Sequence, residues 1–195
     1  MEKGRIGFAF CGSYCTYGKA MDALEQTAAR WEEVIPIVSE QGVVTDTRFG
    51  QADAWLMEME RICGQKPLTS VAQAEPIGPK KLLDALVVCP CTGKTLGKLA
   101  HGIADTSVTM AVKSHLRNGR PIILAVSTND GLGAAAENIG RLLARRDFYF
   151  VPFRQDDPTG KPRSLVADFD LVPRTVAAAL EGKQIQPLLL GSESR

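Results

Sequence analysis

The sequence predicts an α/β protein, a doubly wound parallel sheet flanked by helices on both faces. Three observations carry this expectation. Five runs of strand length, RIGFAF (5–10), EVIPIVS (33–39), ALVVCPC (85–91), PIILAVST (121–128) and FYFVPF (148–153), are apolar almost throughout, as strands covered on both faces are. Stretches with helical spacing separate them, so strand and helix alternate along the chain. Right-handed crossovers between such strands leave an open, Rossmann-like sheet.

The first run passes through a Gly/Ser turn, CGSYCTYGK, into a helix expected over 18–31. Further helices are expected over 49–63, over 94–117 with a break near Gly102, over 131–146 and over 169–181. Gln65–Pro79, with Pro67, Pro76 and Pro79, and Gln155–Pro162 read as irregular connections, since Pro and Gly interrupt regular structure. In open sheets of this kind, ligands sit beyond the carboxyl ends of the strands, where strand order reverses. The turns at those ends are CGSYCTYGK, SEQGVVTDTR, PCTGKTLGK and STNDGLG. All are rich in Ser, Thr, Gly or Lys, whose donors suit phosphate and carboxylate oxygens. A solvated loop of a purely structural protein has the same composition. A strand that runs through a Gly/Ser turn into a helix also offers free amides and a partial positive charge to an anion. Neither GxGxxG nor GxxxxGK[ST] is present, so the turn specifies neither a dinucleotide nor a nucleoside triphosphate.

At 195 residues the chain fits one domain over 1–195 with a substantial core. A net charge of +1 without long runs of either sign lacks the footprint of a general nucleic-acid binder, and a small-molecule partner is expected instead. The apolar run near the amino terminus is short for a signal peptide and no run reaches membrane-spanning length, so no membrane partner and a cytoplasmic location are expected. Five cysteines, an odd number, point to reduced thiols. Cys11 and Cys15, with Cys89 and Cys91, lack the CxxC spacing of structural zinc sites, and no metal is expected.

The stretch CPCTGKTLGKLAHGIADTSVT (89–109) resembles the Pro-x-x-x-Asn-Thr-x-x-Lys-x-x-x-Gly-x-Ala-Asp motif of the homo-oligomeric flavin-containing decarboxylase family. The matching residues are Pro90, Thr95, Lys98, Gly102, Ala104 and Asp105, joined by Gly12 and Ser13 after the first strand and Ser39 after the second. The resemblance implies bound flavin mononucleotide (FMN), with Gly12, Ser13, Ser39, Pro90, Thr92, Gly93 and Thr95 as its binding residues. Ser13, with the following amides up to Thr16, would take the phosphate, and Thr45 would add a donor. Ser13, Ser39 and Thr95 as mere caps of helices and turns is the other account. The motif Asn is replaced by Lys94.

From residue 4 to about residue 183, the likeness is greatest to members of the family that work with a second, nicotinamide-binding chain in sporulating bacteria. What it implies is oxidation of a small cyclic dicarboxylate in the mother cell, with NADP brought by the partner chain, and a trimer-based homo-oligomer. Lys94 and Lys98, at i, i+4 spacing, would meet the carboxylates, with Lys94 also taking part in catalysis and His101 carrying a proton. Solvated lysines at both positions, and a flavin fold kept only as a scaffold for the partner, remain open accounts. Gln155–Asp170 is expected to cover the pocket or meet a neighbouring protomer, or to be a plain exposed connection.

Overall fold

A computed structural model describes residues 2–191. Five parallel strands, β1 (Glu2–Phe10), β2 (Trp31–Val38), β3 (Ala85–Cys91), β4 (Ile122–Thr128) and β5 (Phe148–Phe150), lie in the order β2-β1-β3-β4-β5. Every residue of β3 is buried, which is why its sequence is a continuous apolar run rather than an alternating one. Phe8, Phe10, Ile37, Leu86, Val87, Ile123 and Leu124 are fully buried at the centre of the core. Burial of each such side chain is worth about 1.5–3 kcal/mol. At Gly7 a Cβ would lie 2.5 Å from Leu83 Cδ1 and 2.6 Å from Leu86 Cδ1, so a side chain there would have to displace these two core leucines.

The sheet is mostly parallel, as expected, and the departure is confined to the last apolar run and an antiparallel part beyond β4. The run at 148–153 divides at Val151 and Pro152, and β6 (Phe153–Arg154) pairs antiparallel with β7 (Leu165–Ala167). In turn, β7 lies antiparallel to the end of β4, with Val166 opposite Ser127 and Leu165 opposite Thr128. Pro152 has no N–H to donate to a ladder, and the run breaks there, although Pro36 and Pro90 are accommodated within β2 and β3.

The helices are α1 (Tyr17–Arg30), α2 (Glu40–Val44), α3 (Ala52–Cys63), α4 (Val71–Ala74), α5 (Gly93–Ala100), α6 (Ser107–Leu116), α7 (Ala134–Leu143) and α8 (Val172–Leu180). The segment expected as irregular over 65–79 contains α4, whose first turn is capped by the Ser70 hydroxyl. The break expected near Gly102 is real: this residue has φ +71°, a left-handed conformation natural to glycine. Thr106 then starts α6 with a reciprocal cap, its side chain accepting from the Thr109 amide while the Thr109 hydroxyl accepts from the Thr106 amide.

Candidate functional site

Strands β1 and β3 are neighbours, yet the chain leaves β1 toward β2 on one side and leaves β3 toward β4 on the other. The turns beyond their carboxyl ends therefore diverge and open a crevice at the switch point. A cleft of about 620 Å³ lies there. Gly12, Ser39, Thr92, Lys94, Thr95 and Lys98 line it, together with Thr45. Ser13, Pro90, Gly93 and His101 are not in that lining.

The floor is built by a short hydroxyl chain. Thr92 caps α5, its hydroxyl accepting from the Thr95 amide at 3.2 Å and standing 3.0 Å from the Thr95 hydroxyl. Thr95 donates onward to Cys11 Sγ at 3.2 Å. Burial pushes the Cys11 thiol up to about 11, only partly countered by the Thr95 bond, so the cleft presents it as a neutral group. Pro90, in a cis peptide with Cys89, is buried within β3. Gly93 packs closely against β4: a Cβ there would lie 2.9 Å from Thr128 Oγ1, which would have to turn away. The five cysteines are free.

Ser13 points past the cleft toward β4. Its hydroxyl is 2.9 Å from that of Ser127, and Thr16 donates to it at 3.2 Å while lying 3.3 Å from Ser127. These hydroxyls gather just before α1, a helix of 14 residues. No pattern in the sequence singles out Ser127; it falls in the STNDGLG turn, but 114 residues separate it from Ser13. Tyr14, equally unmarked by any motif, lines the cleft and donates to the Gln41 carbonyl at 3.0 Å, strapping the turn after β1 to α2.

The charged groups are arranged unlike their sequence spacing suggests. Lys98 is committed to Asp105, with Nζ 2.7 and 2.8 Å from the two carboxylate oxygens. The Lys98 hydrogen bond holds the Asp105 carboxyl below the usual carboxylate range, with Lys94 contributing from nearby. Lys94 is exposed on the first turn of α5 at the cleft. His101 is not brought into the cleft. It ends α5, with Nδ1 2.8 Å from the Gly97 carbonyl and Nε2 3.2 Å from Arg141 Nη1. The helical rise from Lys94 carries it roughly 10 Å along the axis, away from the strand ends. The structure adds Glu40 to the cleft, where its carboxylate accepts from the Ser107 amide at 2.9 and 3.2 Å at the start of α6.

Gln155–Asp170 does not cover this cleft. It borders a separate one of about 750 Å³ against Lys19 and Asp22 of α1, where Asp156, Asp157 and Asp168 make the lining acidic. An acidic wall disfavours a phosphate. Among the described residues no cluster of His, Cys, Asp and Glu is arranged to hold a metal, and no helix is long and apolar enough to cross a membrane.

The open, mainly parallel sheet with a hydroxyl-lined crevice at its switch point is the arrangement in which doubly wound α/β proteins hold their ligands. Residues 1–153 match the family model described as Flavoprotein, and the chain belongs to that family. More narrowly, it is similar to the B component of dipicolinate synthase from Bacillus subtilis (strain 168), with 42% identity over 186 residues, covering 95% of this chain and 93% of that one. The crystal structure of the B component of dipicolinate synthase from Bacillus halodurans C superposes with a TM-score of 0.89 at 40% identity, over 97% of each chain. A dodecameric FMN-dependent Ubix-like decarboxylase from Escherichia coli O157:H7 shares the fold alone, at 18% identity with a TM-score of 0.62, over 97% of this chain and 100% of that one.

Proposed function

We propose that this chain binds FMN in the switch-point cleft and serves as the B component of a dipicolinate synthase. In this reading it takes part, with a nicotinamide-binding A component that brings NADP, in oxidising a dihydrodipicolinate-type intermediate to dipicolinate during sporulation. The carrying observation is the convergence of Gly12, Ser39, Thr92 and Thr95 on one cleft at the switch point. The donor set fits the group. The cleft volume lies within the range of small-molecule sites, and just past its lining the hydroxyls of Ser13, Thr16 and Ser127 collect at the start of α1, where the phosphate end of the ligand would extend and an anion is favoured.

A bound flavin supplies a hydride acceptor. The chain's own part is to place the substrate and move a proton. Lys94, at the cleft's rim, meets one carboxylate of the dicarboxylate. Lys98 meets a second only in competition with Asp105, since the two are already paired. Of the carboxylates lining the cleft, Asp105 is paired with the Lys98 ammonium, whereas Glu40 accepts from the Ser107 amide and pairs with no cation among the described residues, and Glu40 is the proton acceptor of this proposal. Val44, Phe49 and Met57 are exposed apolar residues on α2, α3 and the turn between them. They suit a contact with a second copy, in line with a trimer-based homo-oligomer. Sedimentation that shows only a 21.0 kDa monomer at micromolar concentration would remove this assembly.

The scaffold reading draws on two observations, the pairing of Lys98 with Asp105 and the position of His101 outside the cleft. Absorbance and mass spectrometry of the purified protein separate the two. Bound flavin supports the catalytic component, whereas a colourless protein that takes up no FMN yet supports dipicolinate formation by the A component supports the scaffold.

A further inference from the structure

Tyr17 is 1% exposed, and its ring is fixed by edge contacts with Phe10 and Trp55, at centroid distances of 5.6 and 5.7 Å, and by Tyr14 at 5.2 Å. Its hydroxyl is buried without a hydrogen-bond partner. Leaving a buried O–H unpaired costs free energy that a phenylalanine at the same place would not incur. A Cβ built on Gly42 would lie 2.8 Å from Val38 Cγ1, 3.0 Å from the Tyr17 hydroxyl and 3.5 Å from Ser39 Oγ, so the two oxygens flank the same glycine, whose missing side chain lets them come this near each other. Ser39 lines the cleft, and although it occupies the cap position of α2, its side chain does not cap that helix.

We infer that Tyr17 is a positioning residue of the cleft, whose hydroxyl donates to Ser39 Oγ when Ser39 turns to donate its own proton to an oxygen of the bound ligand. The inference rests on the FMN reading of the cleft. A change of Ser39 rotamer closes the chain Tyr17 O–H to Ser39 O–H to ligand oxygen. Each bond of such a chain polarises the next and strengthens it. Burial, with the neighbouring Cys11 thiol and Tyr14, pushes the Tyr17 hydroxyl above its usual range, so it stays a neutral donor at any physiological pH. The device thus has a donor that is unused without ligand and used with it.

That asymmetry gives a test that a merely structural tyrosine would fail. FMN is titrated into wild type, Tyr17→Phe, Ser39→Ala and the double variant, and thermal unfolding is followed without and with FMN. Tyr17→Phe is expected to unfold at the same temperature as wild type or higher when ligand-free, yet to bind FMN about three- to tenfold more weakly, the range for one net hydrogen bond. Added to Ser39→Ala, it should cause no further loss, because its effect passes through Ser39. Unchanged FMN affinity in Tyr17→Phe overturns the inference, as does a full additional loss in the double variant. So does a fall in ligand-free unfolding temperature with affinity kept. A wild type that binds no FMN overturns the flavin reading itself and this inference with it.

Discussion

Replacing Ser13 by Asp places a carboxylate in the hydroxyl cluster at the start of α1. The Ser13 oxygen lies 2.9 Å from Ser127 and 3.2 Å from Thr16, so an Asp side chain takes the same donors that a phosphate would use. If the phosphate sits beside them, the two negative charges stand about 5 Å apart. At an effective dielectric constant of about 20 this repulsion is about 3 kcal/mol, more than a hundredfold in affinity. Ser13→Ala removes one hydroxyl and leaves Thr16 and Ser127 within 3.3 Å of each other, so its expected loss is only about 0.5–1.5 kcal/mol. Folding should not account for the difference, because a carboxylate just before a helix is favourable to it. FMN titration at fixed salt, with thermal unfolding of each ligand-free variant, gives the answer. Superimposable titrations for wild type and Ser13→Asp would refute the placement of the phosphate.

Further outcomes concern the cleft chemistry and acid stability. Lys94→Asn should lower kcat/KM for dipicolinate formation by the reconstituted two-component enzyme by about 2 kcal/mol or more, with Lys94→Arg retaining more activity and both still binding FMN; an Asn variant as active as wild type would make Lys94 a bystander. In the same assay Glu40→Gln should depress turnover while sparing FMN binding, and full turnover would exclude Glu40 as the proton acceptor. His115 is fully buried without a well-formed hydrogen bond, and burial, aided by nearby Arg120, pulls it down to about 4 despite smaller opposing effects of the Pro121 backbone and Asp84. The unfolded chain therefore binds a proton that the folded one refuses, and stability should fall by about 2–3 kcal/mol as pH drops from about 6.5 to about 4. Urea unfolding at pH 7 and pH 4.5 should show a smaller difference in His115→Gln than in wild type; equal differences would refute this account.

The layered α/β plan is legible in the residues alone. Strands buried on both faces write themselves as unbroken apolar runs, as Ala85–Cys91 does, and Gly102 marks a helix break because its backbone conformation suits a residue without a side chain. Equally legible is which turns face the site, since Gly12, Ser39, Thr92 and Thr95 sit at strand ends that the topology gathers at one switch point. Partnership between distant segments emerges only when the chain is folded. Ser127 reaches Ser13 across the sheet, Glu40 reaches the start of α6 from the end of β2, and the hydroxyl of Tyr17 comes beside Gly42. Lys94, Lys98 and His101 share a helical spacing, but spacing gives direction around an axis and not distance along it. The rise of the helix carries His101 to Arg141, and the turn after α5 brings Asp105 back to Lys98. The antiparallel β6–β7 pair was hidden for a related reason. An apolar run shows that a segment is buried, while the strand it pairs with depends on where the run breaks, at Val151 and Pro152, and where the chain returns.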